Sequence, residues 1–171
     1  MKKLIFFITS CCLLYSCNYK YHNLPQDKTP VLKNNDIIYF QDSASSKVDT
    51  FRLAVKDNWW LSSENEYFRN ISIYYNSLNS TITFLVFGIT SASVDGANFG
   101  IESYSSKVNY NFSFKTINFS IQGITYQNVY VGHDKTILSP DTIPNTVYFT
   151  CTKGIIRYEY KDGRVYVLMN K

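Results

Sequence analysis

Residues 48–56 alternate with a period of two, setting Phe51, Leu53 and Val55 on one face and Thr50, Arg52 and Ala54 on the other. That spacing belongs to a strand with one buried face, because successive side chains point to opposite sides of a sheet. The signature recurs along the chain. Residues 36–41 form a short apolar run, 67–75 alternate, 81–89 are β-branched and aromatic, and 110–121 set Tyr110, Phe112 and Phe114 on one side. Residues 124–131 follow a break at Gly123, and 147–152, 154–160 and 164–169 complete the series. Lys161-Asp162-Gly163 supplies a tight turn in which a positive φ is tolerated. Strands at intervals of about ten residues, polar turns and no helical period predict an all-β domain of about nine or ten strands. Its architecture is expected to be an antiparallel sandwich or a strongly curved open barrel. Fifteen Tyr and twelve Phe agree with this, since flat rings pack well on a pleated surface.

The N-terminus has a different character. Met1-Lys2-Lys3 is a basic start, residues 4–14 are an apolar run, and Leu14-Tyr15-Ser16-Cys17 closes it. A bilayer span needs about twenty apolar residues, so the run is expected to be cleaved rather than to act as an anchor. The closing residues resemble the lipobox of bacterial lipoproteins: Leu14, Ser16 and Cys17 match, while Tyr15 is bulkier than the usual residue there. This resemblance implies a signal peptide over 1–16, diacylglycerol in thioether linkage to the Cys17 sulfur, and cleavage just before Cys17. It also implies a cell-envelope address, most simply the outer membrane facing the periplasm. One acyl chain binds a membrane only marginally, so the two or three chains of a lipoprotein hold it effectively for good. On that view the domain needs no membrane surface of its own. An ordinary secretory signal cut after Ser10 or Ser16 is the alternative.

Residues 17–35 are polar, with Pro25 and Pro30 and no sustained period, and read as a flexible, poorly ordered tether. Residues 36–171 then form one domain, as expected for a chain of 171 residues. Of four cysteines only Cys151 belongs to the domain, so no internal disulfide is expected, and its Tyr-, Phe- and Thr-rich surroundings suit a buried strand residue. The formal charge of +4 shrinks when Lys2 and Lys3 leave, and the basic residues are scattered, which argues against a nucleic-acid partner. The Asn-x-Ser/Thr sequons at Asn70, Asn79, Asn111 and Asn118 follow from an Asn- and Ser-rich composition, and no glycan is expected.

Gly123, Tyr126 and Val129, followed by Tyr148, Phe149, Gly154, Ile155, Ile156, Tyr158, Gly163 and Leu168, resemble the closing strands of a group of small Bacteroidetes lipoproteins; Tyr166 stands where Trp is common there. That group brings no established activity. More distantly, the ending is similar to that of curved half-barrels in envelope proteins that shield acyl chains on a concave face. Physically, Gly154 is expected to allow a bulge or close approach before Ile155.

Catalytic chemistry is sparse. His133-Asp134 is the one His-acid pair in the domain, and it reads as a solvated loop; the acids lie at turn-like positions that explain them first. Asp95-Gly96-Ala97-Asn98 lacks the run of oxygen ligands that a calcium loop needs, and no other cofactor or metal is expected. Trp59-Trp60 is the most unusual local feature. Core or edge packing is the expectation for both, and an exposed platform for a sugar ring or apolar partner is the alternative. The sequence therefore predicts a lipid-anchored, non-enzymatic binding or structural module with an unknown protein, glycan or lipid partner. A carrier for an apolar ligand is the second reading, and a hydrolase the third.

Overall fold

The computed structural model describes residues 19–62, 65–79, 83–91, 98–103, 108–134 and 144–169. The signal segment and Cys17 lie outside these residues, as does most of 95–98. The chain is all-β, as the alternation requires: β1 (Lys20–His22), β2 (Ile37–Asp42), β3 (Val48–Leu61), β4 (Glu66–Ser77), β5 (Thr83–Thr90), β6 (Asn98–Ser103), β7 (Val108–Ile121), β8 (Ile124–Asp134), β9 (Thr146–Thr150), β10 (Gly154–Glu159) and β11 (Val165–Leu168). One short 3-10 turn, Gln26–Lys28, interrupts the strands. All eleven strands belong to one sheet in the order β1-β4-β3-β2-β11-β10-β9-β8-β7-β6-β5. The sheet curls so far that β5 also pairs with β4, which makes it barrel-like rather than a stack of two sheets. Neighbours run antiparallel except β1, which lies parallel to β4.

The concave side holds the main core. Phe40, Phe51, Leu53, Ile73, Tyr75, Phe149, Ile155, Tyr158 and Tyr166 are all nearly or fully buried there. Tyr75 on β4 reaches across the interior to β10, where its hydroxyl accepts a hydrogen bond of 3.0 Å from the Ile155 N–H. Burial holds this phenol far above its ordinary pKa, so it stays neutral. Close approach is possible because Gly154 has no side chain. Its φ is +70°, and a Cβ there would run into the Tyr75 hydroxyl and sit 2.9 Å from Leu32 Cδ1. The close approach expected at Gly154 is thus present, and its partner is a tyrosine nearly eighty residues away in sequence. Tyr75→Phe would keep the ring but orphan a buried N–H, at an expected cost of about 1–3 kcal/mol. Urea unfolding of that variant checks it.

A second cluster covers the outer side of β9–β11. Residues 117–129, the far part of the β7–β8 hairpin, fold over it, bringing Ile121, Tyr126 and Val129 against Ile156 and Val167. Register shifts in β7 near Ile117 bend the hairpin into this position. The matching irregularity in β10 lies between Ile155 and Arg157; it turns Ile156 and Arg157 outward in succession and returns Tyr158 to the core. The hairpin ends in a two-residue turn with positive φ at both Gln122 (49°) and Gly123 (80°), the geometry that suits the twist of paired strands.

Residues 19–35 depart from the flexible tether expected of them. β1 pairs with β4, Leu24 is buried at 6% exposure, and Leu32 packs on the same core. Backbone bonds from Val31 to Thr152 (3.0 Å) and from Asn35 to Leu53 (2.9 Å) fasten the segment between them. Two well-placed leucines and backbone hydrogen bonds outweigh a polar composition.

Candidate functional site

The β3–β4 ladder outruns its neighbours. β2 pairs with β3 only as far as Arg52, and β5 reaches β4 only at Asn70, yet β3 and β4 stay paired to Leu61 and Tyr67. β1 takes the free edge of β4 just where β5 stops, at Glu66, Tyr67 and Phe68. Ser91 seals that junction: its hydroxyl donates to the His22 carbonyl (2.6 Å) and accepts from the Arg69 N–H (2.9 Å). The result is a three-stranded tongue, in the order β3-β4-β1, that extends past the body of the sheet.

Rings cover both sides of this tongue. Register places Trp59, Leu61, Tyr67 and Tyr21 on one face and Trp60, Phe68 and His22 on the other. On the first face Tyr21 stacks on Tyr67 (4.9 Å, 7°), Trp59 meets Tyr21 edge-on (5.5 Å), and Tyr19 meets Tyr67 edge-on (5.3 Å). On the second, Phe68 is sandwiched between Trp60 (5.1 Å) and His22 (4.7 Å). Core or edge packing was the expectation for Trp59 and Trp60; neither is in the core, and both pack on neighbouring rings along the tongue's edge strand while staying 41% and 44% exposed. Tyr19, Tyr21 and Leu61 are exposed as well. The tongue's described charges are paired. Arg69 grips Asp57 with two bonds of 3.0 and 2.6 Å, and Glu66 lies 3.6 Å from Lys20 and 3.4 Å from His22.

The direction of β1 matters. Because it is parallel to β4, Lys20 lies beside Glu66 at the start of β4, and its N–H bonds the Asn65 carbonyl at the hairpin end. Tyr19, the first described residue, therefore lies at the tip of the tongue. Covalent reach alone keeps Cys17 within about 7 Å of the Tyr19 Cα.

The remaining candidates have structural employment. Asp42 binds the Ala44 N–H (3.1 Å) and the Ser45 hydroxyl (2.7 Å) in the β2–β3 turn, and these bonds hold its carboxyl below the usual range. Asp49 accepts from Tyr158 (2.9 Å), and Asp162 and Glu159 pair with Arg164 and Arg157. His133 is exposed near the end of β8, with Nδ1 3.2 Å from the Thr146 hydroxyl, so it belongs to a strand rather than a loop. Cys151 is buried, and burial pushes its thiol pKa up, but it sits in the turn after β9 instead of in a strand. Among the described residues no three metal-ligating side chains converge.

Clefts open on the outside among the described residues. One, of about 420 Å³, lies between the hairpin tip at Ser120–Gln122 and the β2 end at Gln41–Ser43; another, of about 370 Å³, lies beside Lys28, Asn128 and Thr150. In the first, Arg157 is spoken for by Glu159 (2.6 Å) and by the rings of Phe119 and Tyr148. On the concave side, the main core occupies the space between β2–β4 and β9–β11. The fold and the tongue thus define an all-β, barrel-like domain with an exposed aromatic end. No protein-family model, curated protein or solved structure matches this chain.

Proposed function

We propose that this chain is a lipid-anchored protein of a bacterial cell envelope, acylated on Cys17, whose barrel-like domain works as a non-catalytic binding or structural module. The observation that carries the reading is the N-terminal pattern itself: a basic start, a short apolar run and Leu14-Tyr15-Ser16-Cys17, in that order. The domain supports it from the other side. Its first strand begins at Lys20, so an anchor on Cys17 would be attached almost directly to folded protein. Asp42, Asp57, Glu159 and Asp162 are taken up by turn bonds and ion pairs, which suits a module that holds rather than transforms its partner. Side chains packed between β2–β4 and β9–β11 favour a binding or assembly role over a carrier. Growth of expressing cells with labelled fatty acid tests the anchor. Label is expected on the wild-type protein and not on Cys17→Ala; label retained by that variant, or absent from both proteins, would contradict the proposal.

A further inference from the structure

We infer that the β3–β4–β1 tongue is a membrane-contact element, which enters the headgroup region of the bilayer tip-first beside the acyl chains on Cys17. This inference rests on the anchoring reading above and adds to it a surface and an orientation. Four observations point the same way. The chain reaches Tyr19 at the tip, so acyl chains on Cys17 would emerge within about 7 Å of the tongue's end. Beside the exposed polar residues Lys20, Asn58 and Asn65, the tongue exposes Tyr19, Tyr21, Trp59, Trp60 and Leu61, and Trp and Tyr are the residues whose part-apolar, part-polar rings favour the membrane interface. Both faces carry rings, Trp59 and Tyr21 on one and Trp60 and Phe68 on the other. A platform for a single sugar or peptide needs one face, whereas immersion wets both with lipid. Finally, among the described residues the ionised groups of the tongue are matched, Asp57 with Arg69 and Glu66 with Lys20, which lowers the cost of bringing those groups near an apolar medium.

The dimensions agree. Trp60 and Trp59 lie one and two residues before the end of β3, about 3–7 Å along a strand, against the roughly 5–10 Å depth of an interfacial element. With paired charges, contact is expected to depend little on anionic lipid or on salt.

The chain offers its own reporter, because its two tryptophans are both in the tongue. The mature protein, purified with its anchor, would be placed in phosphatidylethanolamine–phosphatidylcholine vesicles containing lipids brominated near the top of the acyl chains. Trp59→Phe and Trp60→Phe would be measured separately, after the mass of each has shown acyl groups on Cys17. The expected result is a blue-shifted emission and loss of most of its intensity in both variants. Acylated protein with unquenched emission would overturn the tongue's role while leaving the anchor standing. Quenching of one tryptophan alone would also overturn it, since the tongue would then be a one-sided surface. A mass without acyl groups would overturn the anchor and this inference with it.

Discussion

Gly154→Ala is expected to destabilise the domain by about 2–5 kcal/mol, a large share of the roughly 5–15 kcal/mol that holds a domain of this size together. Two costs combine. The residue has φ +70°, a region in which a side chain costs about 1–2 kcal/mol. The added methyl would also drive into the Tyr75 hydroxyl and Leu32 in a core that has no slack, and overpacking of that kind costs about 1–3 kcal/mol more. Urea or thermal unfolding gives the number. Because the clash is with the hydroxyl, Gly154→Ala combined with Tyr75→Phe should be less destabilised than the two single changes added together. Additive costs would mean that the two residues do not share the contact described here.

Removal of residues 18–35 should be at least as damaging. A free tether could be deleted without effect, but this segment supplies β1, the buried Leu24, Leu32 against Gly154, and the backbone bonds to Thr152 and Leu53. Leu24→Ala alone is expected to cost about 2–4 kcal/mol, within the range for truncating a buried leucine. The shortened chain should therefore unfold at a markedly lower denaturant concentration than Leu24→Ala, or fail to fold cooperatively. Hydrogen exchange provides an independent check, with slowed exchange expected at the amides of Val31 and Asn35. An unchanged midpoint in the shortened chain would return the segment to the status of a tether.

The contrast between these regions shows which physics a sequence displays. Strand β3 was legible where one face is buried, because Phe51, Leu53 and Val55 must then recur at every second position. Its continuation to Leu61 was not, since both faces of the tongue are exposed and nothing imposes alternation on Asp57-Asn58-Trp59-Trp60. The docked segment escaped notice for a related reason: Leu24 and Leu32 act singly, and backbone hydrogen bonds leave no trace in side-chain pattern. Gly154 was recognisable as a point of close approach, but not the identity of Tyr75, which long-range pairing alone could bring there.

Of the candidate site, the Trp59-Trp60 pair stood out in the sequence as unusual. What the sequence could not show was company. Tyr21 and His22 come from a segment more than thirty residues upstream, and it is the parallel pairing of β1 with Glu66–Phe68 that completes both stacks. That same pairing changes the role of the anchor. With residues 19–35 free, acyl chains on Cys17 would leave the domain to move independently; with β1 docked, they would fix which end of the fold meets the lipid.

The central claim is lipid on Cys17, and the intact mass of the protein purified from its native envelope tests it most directly. The account predicts a chain beginning at Cys17 and carrying the added mass of a diacylglyceryl group, with or without a further acyl chain on its amine. A chain beginning elsewhere, or a bare Cys17, would contradict it.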